Sequence, residues 1–196
     1  QGVLAQSSGR TMEAFDLLRH ARALDPTDPA IAFMLGGNYA QQGVSDRALS
    51  LLEEAYEADS TNLTYARALS AGYIEAGRMQ DALHINERLS AADPEDDDVR
   101  YRLIQLYART GELKKGIQLA TELQKRFQPM PEAYGQLTKM KIQLLALSKD
   151  SVAVGREYRA WAALYPEDRR PYYDWILHLF QTGGAKEAEK QLASDV

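Results

Sequence analysis

The sequence predicts an all-α protein built from helical hairpins set in line, and two observations carry that prediction. The first is a period. Glycines fall at Gly9, Gly43, Gly77 and Gly111, each separated from the last by the same interval. A small residue follows each by five positions: Ala14, Ala48, Ala82 and Gly116. Tyr39, Tyr73 and Tyr107 precede their glycines by four, and Leu35, Leu69 and Leu103 stand four before those tyrosines. Asp25, Asp59 and Asp93 close the units, followed by Pro26, Ser60 and Pro94. Columns that coincide at one such interval mark stacked repeats. The second observation is the step inside each unit. Leu35 with Tyr39, and Ala48, Leu51, Leu52 with Ala55, recur at three- and four-residue steps, the mark of one buried helical face.

Taken in order, residues 1–8 are expected to finish a broken first helix, with 11–24 as its partner in a partial hairpin over 1–24. Complete hairpins are expected at about 28–60, 62–94 and 96–128. Asp25-Pro26-Thr27-Asp28-Pro29 supplies a helix stop, a cap and a proline suited to a first turn. The run Asp93-Pro94-Glu95-Asp96-Asp97-Asp98 does the same and puts acids at a helix start, where the helix dipole favours them. It lacks the alternating ligands and central glycine of a calcium loop, so no metal site is predicted. Gly36, Ser70, Ala48 and Ala82 are expected where two helices cross closely. Ile104 and Gly116 then form a large-for-small and small-for-large exchange in the third full hairpin.

After Phe127 the period breaks. Pro129-Met130-Pro131 marks a turn, a helix runs from about Glu132 to Leu147, and Ser148-Lys149-Asp150 ends it without a glycine. Gly111 and Gly183 are separated by two periods plus four, so hairpin 131–165 is expected to hold one extra helical turn. Hairpin 169–196 restores the pattern with Tyr172, Trp175, Leu179, Gly183 and Ala188. The whole of 1–196 reads as one domain. Because it starts at Gln1 and stops short of another Asp-Pro closing, it also reads as a fragment of a longer chain.

The stretch Ala-Phe-Met-Leu-Gly-Gly-Asn-Tyr-Ala-Gln-Gln-Gly over 32–43, with Arg47-Ala48 and the Asp-Pro closings, resembles the tetratricopeptide repeat. That repeat is a helix-turn-helix unit with the period seen here. The resemblance implies a right-handed solenoid, an α-α superhelix of about five hairpins plus a partial one. The first helix of each hairpin would line a concave groove. Ends cut through a repeat would leave an apolar face open, so self-association through uncapped ends is an expected property. The extended fourth hairpin also resembles envelope-associated repeat proteins of some Gram-negative bacteria. That likeness implies a bacterial chain, periplasmic or anchored in preference to cytoplasmic, whose signal or anchor lies upstream.

Composition narrows the function classes. The net charge of −5 divides unevenly: residues 1–100 carry 8 basic and 17 acidic side chains, and residues 101–196 carry 15 and 11. No lysine precedes Lys114. The small basic excess of the second half argues against nucleic-acid binding. No apolar run approaches the roughly 20 residues of a membrane-spanning helix. The absence of cysteine excludes disulfides and thiolate metal sites. His20, His84 and His178 occupy unrelated slots, and no phosphate loop, dinucleotide fingerprint or hydrolase motif occurs. No catalytic, cofactor-binding or metal-ligating residue is therefore predicted, and the chain reads as no enzyme.

Carried over by position from the repeat family, the candidate groove contacts are Phe33, Arg67, Tyr101, Arg102, Gln105, Arg109 and Tyr173. Arginine and aromatics are the usual anchors for a peptide or a partner helix. One known groove grips a peptide's terminal carboxylate with lysines, asparagines and an arginine. Phe33, Gly37, Ala68 and Asp98 fill four of those slots wrongly and only Arg102 matches, so that clamp is not expected. Trp161 and Trp175 stand in columns held elsewhere by alanine or leucine and are assigned to the core. The reading is a protein-protein interaction scaffold for a peptide segment or protein partner. The alternative is a docking or regulatory region of a larger enzyme or sensor whose active domain lies outside these residues.

Overall fold

A computed structural model describes residues 2–184 and 186, with side chains from residue 13 onward. Among the described residues there are ten α-helices and no strand: α1 Gly2–Leu24, α2 Pro29–Gln41, α3 Ser45–Ala58, α4 Leu63–Glu75, α5 Met79–Ala92, α6 Asp97–Thr110, α7 Leu113–Arg126, α8 Pro131–Leu147, α9 Ser151–Leu164 and α10 Arg170–Gln181. The fold is an all-α solenoid of helical hairpins. Two compact units succeed one another along the chain, Gln1–Leu106 and Tyr107–Val196. A stacked array divides readily because each hairpin contacts only its neighbours.

The period fixes where first helices end. Gly43, Gly77, Gly111 and Gly183 have φ of 75°, 74°, 82° and 82°, the left-handed region in which only glycine escapes a Cβ penalty. In hairpin 131–165 that place falls to Lys149, at φ 62°. Lys149 lies one period before Gly183, and one period plus four positions after Gly111, so the surplus sits in α8. Accordingly α8 has 17 residues where α2 and α4 have 13. A second column caps the first helices. Asp28 accepts from the Ala30 and Ile31 N–H groups, Asn62 from those of Thr64 and Tyr65, and Asp96 from that of Val99. Each satisfies a donor that the helix start leaves open.

In residues 1–106 the small residues lie where the helices cross. A Cβ on Gly36 would stand 3.0 Å from Leu52 Cγ and 3.2 Å from the Ala48 carbonyl, and Ala82 is fully buried. Ser70 takes the Gly36 slot one repeat later. Its Oγ accepts from Asn86 Nδ2 at 2.5 Å, and the same amide donates to the Ala82 carbonyl at 2.7 Å. In residues 107–196, a Cβ on Gly116 would meet Leu144 Cδ1 at 2.9 Å and Tyr107 Cβ at 3.1 Å. The nearest occupants of the space at Gly116 are therefore Leu144 and Tyr107.

The N-terminal part departs from expectation. α1 runs without a break from Gly2 to Leu24, so Gly9 lies inside a helix and the partial hairpin is one continuous element. An interior glycine costs a helix only about 1 kcal/mol against alanine, so the glycine column alone does not enforce a break at Gly9. The second helix expected in 169–196, with Ala188, lies outside the described residues.

Candidate functional site

Phe33, Arg67 and Tyr101 occupy one slot of α2, α4 and α6, each one period after the last. Phe33 is half-buried, with its ring 5.1 Å from that of Tyr65, and it packs against the core of residues 1–106. Arg67 is engaged within the chain: its Nη2 lies 2.5 Å from Asp96 Oδ2. Asp96 thus caps α6 and pairs with Arg67 together. The Val99 N–H, and Arg67 after it, hold the Asp96 carboxyl below the usual carboxylate range. Burial, with the charge of Asp97 beside it, pushes the Tyr101 phenol up. Arg102 is half-buried and Gln105 exposed, and neither makes a hydrogen bond or ion pair among the described residues.

In residues 107–196, Arg109 is exposed at the end of α6 and is already engaged in other contacts. Tyr173, in the α10 slot that corresponds to Phe33, is 63% exposed, with its ring edge-on to Tyr172. It does not stand alone. Leu177 is 56% and Phe180 48% exposed, and the steps of four and three place all three on one stripe of α10. The tryptophans assigned to the core behave differently from these: Trp161 is fully buried, and Trp175 is half-buried and stacked on Tyr158.

The groove contacts expected from sequence all lie on first helices, α2, α4, α6 and α10. Residues 1–106 also hold two cavities between second helices. One, of about 360 Å³, lies between α1 and α3 over Leu35 and Tyr39 and is lined by Arg19, Arg22 and Arg47. The other, of about 470 Å³, lies between α3 and α5 over Leu69 and Tyr73 and is lined by Glu53, Asp81, His84 and Arg88 among others. Burial and a hydrogen bond with Glu53 push the Tyr73 phenol up to about 12. A comparison of the repeats column by column would have found both, since their lining residues recur one period apart. Among the described residues no three His, Asp or Glu side chains converge to hold a metal ion, and no helix is long and apolar enough to cross a membrane.

Comparison with known proteins agrees with this architecture. Residues 73–139 match the family model described as tetratricopeptide repeat. No curated protein matches the chain. Among solved structures, the chain is similar to YrrB, described as a TPR protein with an unusual peptide-binding site. They share 15% identity and a TM-score of 0.68, over 87% of this chain and 86% of that one. A tetratricopeptide repeat protein from Parabacteroides merdae ATCC 43184 gives 19% identity and a TM-score of 0.68, over 96% and 73%. MamA from AMB-1 gives 21% and 0.64, over 81% and 91%. At such identities the likeness is one of fold. Residues 73–139 thus match the tetratricopeptide repeat, and the chain shares the all-α fold of its tetratricopeptide-repeat neighbours.

Proposed function

We propose that the chain is a protein-interaction scaffold that holds a peptide segment or a protein partner against its first helices. One observation carries this reading: the exposed stripe of Tyr173, Leu177 and Phe180 on α10. Three large apolar side chains aligned on one helix face and turned to solvent are costly without a purpose, and such patches mark contact surfaces. In residues 1–106, Arg102 and Gln105 offer further unengaged polar contacts on α6. Arg67 is assigned no such role, because Asp96 holds it. The description of YrrB as carrying a peptide-binding site supports the reading for this fold, without fixing which residues bind here.

The test is hydrogen–deuterium exchange on the purified chain with a peptide obtained by display selection against it. Protection is expected on α10. Protection confined to second helices such as α3 and α5 would move the site off the first helices and overturn the proposal.

A further inference from the structure

The two cavities of residues 1–106 are the same slot in successive repeats, with its charge reversed. Arg19, Tyr39 and Arg47 of the first correspond, one period on, to Glu53, Tyr73 and Asp81 of the second. In the second slot the charge is answered from within the chain. Arg78 donates from Nη1 to Glu53 Oε1 and from Nε to Asp81 Oδ2, both at 2.7 Å, with its guanidinium 4.4 Å from the centroid of the Tyr73 ring. One period before Arg78 stands Val44. The first slot therefore carries two flanking cations in place of two carboxylates, and an aliphatic residue where the central counter-charge would be.

Nothing among the described residues replaces that counter-charge. Arg19 makes no hydrogen bond or ion pair among them. Arg47 reaches only the Tyr39 hydroxyl, at 3.5 Å, with its guanidinium 5.7 Å from the ring centroid. Arg22 gives Nη2 to both carboxylate oxygens of Glu54 at 2.5 Å and leaves Nη1 buried with no acceptor. Residues 1–50 hold four basic side chains, Arg10, Arg19, Arg22 and Arg47, and three of them line this one cavity, in a half of the chain that is otherwise acidic.

We infer that the cavity between α1 and α3 is an anion site that takes a carboxylate of an acidic partner segment. Two guanidinium forks match the geometry of a carboxylate and bind it by charge-assisted hydrogen bonds. The anion does not stack on Tyr39 as Arg78 stacks on Tyr73, because an aromatic face is negative. It sits at the rim, between Arg19 and Arg47 and within reach of the Tyr39 hydroxyl. This site is separate from the first-helix surface and stands or falls independently of it.

The probe is a fluorescein-labelled octapeptide of alternating glutamate and glycine, made with a free and with an amidated C-terminus, beside its glutamine counterpart. Binding is read by anisotropy at low salt. A glutamate peptide should bind at least tenfold more tightly than the glutamine peptide. Equal binding by the free and amidated forms assigns the site to side-chain carboxylates, and binding by the free form alone assigns it to a chain terminus. The double variant Arg19→Glu/Arg47→Asp gives the slot its neighbour's charges and should weaken binding at least tenfold. The milder Arg19→Gln/Arg47→Gln, with its melting curve, guards against misfolding and should weaken binding in the same direction. Equal binding of the glutamine peptide, no binding of any acidic form at millimolar concentration, or unchanged affinity in a folded variant would overturn the assignment.

Discussion

Hairpins α4–α5 and α8–α9 occupy the same place in the repeat and fill their helix crossings by opposite means. In α4–α5 the crossing positions are small, Ser70 and Ala82, both fully buried. Counted from Lys149, the same positions in α8–α9 are Ile142 and Val154, also buried but large. The small residue has moved to Gly135 near the start of α8, where an added Cβ would stand 2.7 Å from Trp161 Cζ2. Trp161 itself holds the column of Leu89. The polar contacts differ in kind as well. α4–α5 has the neutral Asn86–Ser70 pair, whereas Lys141 of α8 pairs with Glu157 at 2.7 Å and donates to Gln124 at 3.1 Å. Gln124 in turn donates to Thr138 at 2.8 Å. A hairpin of this fold needs the crossing filled, and does not need it filled by the small-residue column.

The largest expected effect is at the aromatic of the longer hairpin. Trp161→Ala should cost about 3–5 kcal/mol by opening a cavity over Gly135, measured by chemical denaturation. A cost below about 1 kcal/mol would mean that Trp161 does not hold α8 and α9 together. Next is the ion pair. Lys141→Ala leaves Glu157 half-hidden without its cation and should cost roughly 2–3 kcal/mol, less than for a wholly buried pair because Glu157 keeps some contact with water. The double variant Lys141→Met/Glu157→Leu should recover most of that loss, and failure to recover would make the pair a net source of stability. In the regular hairpin, Ala82→Leu should cost roughly 1–3 kcal/mol by overpacking, while Gln80→Ala on the exposed side should be nearly silent. Equal melting of those two variants would remove Ala82 from the crossing. The smallest effect has the opposite sign: Lys149→Gly should stabilise by up to about 1 kcal/mol, since glycine bears no Cβ penalty at positive φ. Destabilisation there would show that the Lys149 side chain contributes more than its strain.

What the sequence made legible follows the same division. Where the period holds, the glycine column marks where first helices end, and Gly43, Gly77, Gly111 and Gly183 are left-handed there. The four surplus residues place an extra turn in hairpin 131–165, and it falls in α8. Lys149 was visible only as part of a stop, because nothing in a lysine's identity announces a left-handed backbone. The Gly135–Trp161 contact was illegible for a related reason: it replaces a column instead of continuing one. Gly9 misled in the other direction, since it keeps the column yet lies inside the continuous helix α1. Of the proposed contacts, Arg67 was read as available although the residue that holds it, Asp96, belongs to the capping column of Asp28 and Asn62. The charge reversal between Arg19 and Glu53, and between Arg47 and Asp81, lay in the sequence throughout, but only the cavities gave those columns a meaning.

Phe33 and Tyr173 state the functional claim most sharply, for they share one slot and meet opposite fates: one is packed on Tyr65, the other open to solvent. The deciding measurement is calorimetric titration of a display-selected peptide into the wild-type chain and into Tyr173→Ala/Leu177→Ala, with Glu57→Ala as a control on a second helix. The account predicts that the double variant loses at least tenfold in affinity, as truncated interface anchors do, while its melting midpoint and the control's affinity stay unchanged. Unchanged affinity in the double variant, or a fall in its midpoint that shows the stripe to be core, would contradict the claim that α10 presents a binding surface.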